Sequence, residues 1–121
     1  MPPLNEKAVL ARLRAHGAAA HVIQGGSKGL LTAWQRFVAQ VVHGYPFGLS
    51  DYRNDLDVRA LIEVAGLSAQ VATEDQLLRS ILVPGRRDIW ETHVTDAFWV
   101  QGYPRNASPE LLADLQAQGL V

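Results

Sequence analysis

Two groups of residues in this chain have types and spacings that could do chemistry. Asp51 and Asp55 lie four apart, with Asp57 just beyond. On a helix, that spacing lets the first two carboxylates face one Mg²⁺ or Ca²⁺. A complete site would need further oxygen ligands, for which Glu74 and Asp75 are the available candidates. The EF-hand pattern is absent because its glycine and terminal glutamate are missing. The second group is Arg86, Arg87, Trp90, Trp99, Tyr103 and Arg105. Arginine, tryptophan and tyrosine are the types enriched in binding hot spots. Guanidinium forks beside an aromatic face suit a carboxylate. In the competing reading the tryptophans fill the core and the arginines solvate its rim.

Other signals are weaker. Gly25-Gly26-Ser27-Lys28-Gly29 precedes a helix, where backbone N–H groups can hold phosphate. It lacks the spacing of a P-loop, so it reads as a link with Ser27 as cap. His16, His21, His43 and His93 never pair at metal-binding spacing. No G-x-S-x-G or S-x-x-K motif occurs. The stretch 60–68, followed by a helix after Thr73, has the outline of a helix-turn-helix. Its second helix would present Glu74 and Asp75 to a polyanion, which argues against DNA.

The elements that must position these residues follow from apolar periodicity. Val9, Leu10 and Leu13 predict a first helix from Glu6, capped by Asn5 and stopped at Gly17. Residues 18–23 read as a short strand or buried connector, and 24–29 as a flexible link. Leu30, Leu31, Trp34, Phe37, Val38, Val41 and Val42 form the clearest amphipathic stripe, predicting a central helix from about Lys28 to His43 with Trp34 in the core. A third helix starts at Ser50 or Asp51 and ends at Gly66, with Arg53–Asp57 and Asp55–Arg59 as candidate ion pairs. Thr73 and Gln76 have the form of a capping box for a fourth helix that stops at Pro84-Gly85. Ser108-Pro109-Glu110 opens a last helix with Leu111, Leu112 and Leu115 on its apolar face. Between them, 86–101 can be read at either period. A helix starting near Arg87 is the leading expectation, and a hairpin turning near Thr95-Asp96 the alternative.

The expected fold is therefore mainly α, a compact bundle of five to six helices in a single globular domain spanning 1–121. The alternative is α+β with a hairpin at about 86–101. With 48% hydrophobic and 19% charged residues the chain is in the globular range. It has no cysteine, which excludes disulfides, thiol nucleophiles and Cys-based zinc sites. A net charge of −1 lowers the expectation of nucleic-acid binding. No run approaches the ~20 apolar residues of a membrane span, and the first residues do not resemble a signal peptide. The expectation is a cytoplasmic, non-enzymatic binding module without a cofactor, acting through a protein partner or as a homodimer. A small metal-dependent enzyme using Asp51 and Asp55, and a nucleic-acid-binding regulator, are the alternatives.

Overall fold

The apolar stripe of the second helix finds its partners in sequence neighbours on both sides. A computed structural model describes residues 5–121. Five α-helices run in the order α1 (Glu6–His16), α2 (Ala20–His43), α3 (Leu49–Val64), α4 (Ala72–Ile81) and α5 (Pro109–Ala117). Two short strands, β1 (Leu82–Pro84) and β2 (Gly102–Pro104), form an antiparallel pair between α4 and α5. The architecture is thus mainly α with a minimal two-stranded sheet. Among the described residues no helix is long and apolar enough to cross a membrane.

Leu30, Trp34, Phe37, Val38 and Val41 of α2 are all buried, and α1, α3 and α4 pack around them. Trp34 stacks on Phe37 at 5.1 Å between ring centroids, and Phe37 meets both Tyr45 and Tyr52 at 5.7 and 5.5 Å. Such offset and tilted ring pairs add to the stabilisation from burial alone. The expected termini of α1 and α5 are present. Asn5 Oδ1 accepts from the Ala8 N–H at 2.8 Å, Gly17 adopts the left-handed conformation, and Ser108 Oγ accepts from the Leu111 N–H at 3.1 Å.

Five local expectations need correction. Residues 20–29 are helical rather than strand and flexible link, interrupted only at Gly26, with φ 63° and ψ −159°. That backbone region is essentially reserved for glycine. The break frees a new helix start at Ser27, and both the N–H and the Oγ of Ser27 donate to the Glu6 carboxylate. The turn that could have held a phosphate therefore holds an anion of the chain's own α1. At the start of α4 the capping box is not made: the helix begins at Ala72, continuous with a 3-10 turn at Ser68–Val71, and has no side-chain cap. The start of α3 is capped from outside, the Leu49 N–H donating to Asp114 Oδ2 of α5 at 3.0 Å, rather than by Ser50 or Asp51. The two ion pairs expected within α3 are replaced by tertiary contacts described below.

The fifth correction concerns 86–101, which is neither helix nor hairpin. Its ends are pinched together by the β1–β2 ladder, in the register Leu82↔Pro104, Val83↔Tyr103 and Pro84↔Gly102. Each strand spans three residues, and the Arg105 N–H adds one more bond, to the Ile81 carbonyl at 2.8 Å, beyond Pro104. A Cβ at Gly102 would come within 2.6 Å of the Val83 carbonyl oxygen, so the strands approach this closely only with glycine there. Between the strands the chain loops out. It turns back with Asp96 at φ 60° and returns through a 3-10 turn at Phe98–Val100. The Ile89 N–H donates to the Val100 carbonyl at 2.8 Å. Ile89 and the run Ala97–Val100 are buried, whereas Trp90 and His93 face outward. That burial pattern has neither helical nor strand period, which explains why the sequence supports both readings weakly.

Candidate functional site around Trp90

The loop 85–101 is fastened to the outer face of α3 by side chains at its first turn. The Arg53 Nε–H donates to the Ile89 carbonyl at 3.0 Å, and the Arg53 guanidinium carbon lies 5.4 Å from the centre of the Trp90 ring. Trp90 Nε1–H in turn donates to Asp57 Oδ1 at 3.3 Å. These contacts hold the indole in place while leaving it 37% exposed, unusual for a large aromatic in a well-formed core. Next to it the Arg87 Nη2 donates to the Gln118 carbonyl beyond α5. The result is a cleft of about 640 Å³ lined by Arg53, Arg87, Asp88, Trp90, Glu91 and Gln118. Arg53, Trp90 and Gln118 also line an adjoining hollow of about 350 Å³ that reaches Ser50, Asn54 and Asp114.

The six residues suggested by sequence are thereby divided. Arg87 and Trp90 line the cleft, and Arg86 is exposed beside it, its backbone N–H bonded to the Leu120 carbonyl. Trp99 is buried, its ring covered by the Arg59 guanidinium at 4.5 Å. Tyr103 lies half-buried on β2. Arg105 follows the other end of the ladder, where its Nη2 donates to the Ser80 carbonyl at 3.2 Å. Arg105 is therefore not part of the Arg87 cleft, and the three arginines do not converge. Arg53 was not suggested by the sequence as a site residue. The available signal was its charge on the exposed side of α3, one turn before Asp57, which periodicity reads as an intrahelical pair.

A second polar constellation lies on the inner face of α3. Arg59 is buried, donating from Nε and Nη2 to the Asp75 carboxylate at 3.0 and 2.8 Å, and from Nη1 to Ser68 Oγ at 3.1 Å. Ser68 Oγ donates onward to Glu63. Asp75 Oδ1 also accepts from Trp34 Nε1–H at 3.0 Å. This network joins α2, α3 and α4, and its arginine continues the apolar stripe Tyr52, Leu56, Ile62. An arginine in such a stripe is the sequence signal that identifies it. It also commits Asp75, at the start of the helix that would read DNA in a helix-turn-helix, to an internal partner.

Asp51 and Asp55 do not gather further ligands. Among the described residues no group of three or more His, Asp or Glu side chains is placed to hold a metal ion. Asp55 Oδ2 instead accepts from the Tyr45 hydroxyl at 2.6 Å. Burial raises the Asp55 pKa and the Asp51 charge raises it further, against the lowering effect of the Tyr45 hydrogen bond. Burial, the Asp55 hydrogen bond and nearby charge hold the Tyr45 phenol protonated well beyond its usual range. Burial raises the Tyr52 phenol too, and its hydroxyl has no partner among the described residues.

The sign of the Asp55 shift gives a test. A carboxyl raised above its unfolded value binds its proton more tightly in the native state, so stability falls as pH rises through the window between the two values. Above that window the full penalty is present. Asp55→Asn, which keeps an acceptor for Tyr45, should therefore stabilise the protein at neutral pH. The gain should shrink to nothing once the pH is below the ordinary carboxyl range. Urea unfolding midpoints followed against pH for both proteins check this, and an Asn variant less stable at pH 7 contradicts it.

Comparison with known proteins finds no matching family model, no matching curated protein and no matching solved structure.

Proposed function

We propose that the protein is a binding module that engages a protein partner through the Trp90 cleft. The observation that carries this reading is Trp90 itself, a large aromatic held rigid by Arg53 and Asp57 yet left open to solvent between two arginines. A pre-positioned aromatic anchor loses little conformational entropy on binding, which makes it an efficient hot spot. Arg53 and Arg87 each donate to a backbone carbonyl, and neither forms an ion pair with a carboxylate among the described residues. Their remaining N–H groups are free to hold a partner's carboxylate. The acidic pair Asp51 and Asp55 gives less support to a metal-dependent reaction, since Asp55 is engaged by Tyr45. The lack of cysteine suits a reducing compartment such as the cytoplasm.

Trp90→Ala and Arg87→Ala should each leave unfolding midpoints close to wild type and weaken partner binding, Arg87→Ala in a salt-sensitive way. Affinity purification from the native host, followed by titration of the recovered partner onto each variant, reads this out. Sedimentation of the protein alone tests whether the partner is a second copy. Undiminished partner binding in Trp90→Ala would remove the cleft from consideration.

A further inference from the structure

The cleft does not end at Trp90. The hollow beside it shares Asn54 with a third depression of about 520 Å³, where α3 meets the turn between α1 and α2. That depression is lined by Ala18, Ala19, Val22, Val58 and Leu61, with His16, His21 and Asp57 at its edge. One side of α3 thus forms a continuous floor, running through Arg53, Asn54, Asp57, Val58 and Leu61. These positions follow the three- and four-residue steps of a single helical face. None of them is fully buried: Asn54 and Asp57 are exposed, and Arg53, Val58 and Leu61 are half-buried, whereas Tyr52, Leu56, Arg59 and Ile62 on the opposite face are buried.

We propose that this face is a groove for an extended polypeptide segment carrying a carboxylate and, about four residues away, an aliphatic side chain. The proposal rests on reading the Trp90 cleft as a partner surface and adds the chemistry and direction of what occupies it. The carboxylate is held by Arg53 and Arg87, neither of which forms an ion pair with a carboxylate among the described residues. The aliphatic side chain enters the pocket between Val22, Val58 and Leu61. The spacing follows from the helix. Arg53 and Leu61 are eight residues apart, about 12 Å along the axis at 1.5 Å per residue. An extended chain rises about 3.3 Å per residue and covers that distance in about four. Where the two hollows meet, the Asn54 side chain makes no hydrogen bond to another described residue, so its amide can both donate to and accept from a peptide backbone whatever its sequence. Charge selects against a polyanion, because Asp57, Asp88, Glu91 and Asp114 line the same path. A single carboxylate can sit at the arginines, but a nucleic acid backbone would meet the acids on either side.

The test uses the full chain and a phage-displayed library of randomised dodecapeptides. Selected peptides, labelled with fluorescein and titrated by anisotropy, should share an acidic residue and an aliphatic one separated by three to four positions. Arg53→Ala should weaken such a peptide by about tenfold or more, the equivalent of one hydrogen bond to a charged group. Leu61→Ser should abolish the preference for the aliphatic residue while leaving the acid preference, and thermal unfolding verifies that each variant is folded. Asn54→Ala, at an exposed position, provides a second probe where the two hollows meet and should weaken all selected peptides alike. Peptides lost on Trp90→Ala but indifferent to Leu61→Ser and Asn54→Ala would overturn the extension along α3 and leave the cleft reading intact. A selection yielding no Trp90-dependent peptide, or one dominated by basic residues, would overturn both.

Discussion

Asp75→Ala should lower the stability of the protein by about 3–5 kcal/mol, the range expected when one partner of a buried ion pair is removed. The Arg59 side chain is only 5% exposed, and Asp75 supplies three of its hydrogen bonds. With Asp75 gone, Arg59 retains Ser68 Oγ and a distant Glu63 at 3.7 Å, whose side chain is 45% exposed and so surrounded by water. A solvated carboxylate at that distance offsets little of the cost of a buried guanidinium. Trp34 Nε1–H loses its acceptor at the same time, in a position with no access to solvent. An orphaned buried donor alone costs about 1–3 kcal/mol. Urea denaturation gives the difference directly, and a loss under about 1 kcal/mol would show that the network relaxes onto other partners. Asp75→Asn keeps one acceptor oxygen but loses the charge, and should fall between wild type and Asp75→Ala. The pair Arg59→Met with Asp75→Leu should recover much of what Asp75→Ala loses, because no unpaired charge then remains inside.

The same residues show where sequence reading succeeds and where it stops. The stripe of α2, the Asn5 and Ser108 caps and the stop at Gly17 are legible because each depends on residues within one or two helical turns. The partners of charged residues on α3 are not. Arg53, Asp55, Asp57 and Arg59 sit at spacings that allow intrahelical pairs, each worth only a few tenths of a kcal/mol. In the folded chain Asp55 bonds Tyr45, Arg59 bonds Asp75, and Arg53 and Asp57 hold Ile89 and Trp90. Those partners lie 10 to 36 residues away in sequence, and partial burial makes them stronger than the local alternatives. The candidate site was half legible for the same reason. Residue type pointed to Trp90 and Arg87, but the element that completes the cleft is α3, which no local pattern connects to the loop. Trp99 and Trp90 look alike in sequence. Only the packing of Phe98–Val100 against Arg59 and Arg79 separates a core tryptophan from a surface one.

Trp34→Ala should cost about 3–5 kcal/mol, the range for truncating a buried large aromatic. The indole is fully buried on the central helix, stacks on Phe37 with ring planes 26° apart, and reaches the Asp75 carboxylate with its N–H. Truncation therefore opens a cavity among α2, α3 and α4 and removes one of the donors that hold Asp75. Trp34→Phe separates the two contributions. It keeps most of the ring contact and removes the hydrogen bond, so its cost should be smaller, about 1–2 kcal/mol. The hydrogen-bond component depends on Asp75 and so should disappear when Asp75 is already absent. In a double-mutant cycle Trp34→Phe should then be less costly in the Asp75→Ala background than in wild type, with a coupling of at least about 0.5 kcal/mol. Strict additivity would mean that the indole N–H contributes nothing through Asp75. A negligible effect of Trp34→Ala on the unfolding midpoint would contradict its place at the centre of the core. The effect of Trp34→Ala should also reach the cleft, because Arg59 and Arg53 project from opposite faces of the same helix. Loosening α3 from the core would let Arg53 and Asp57 shift beneath Trp90. Trp34→Phe and Trp34→Ala both retain only Trp90 and Trp99 as emitters, so a red shift of Trp34→Ala relative to Trp34→Phe below its unfolding transition would report that displacement.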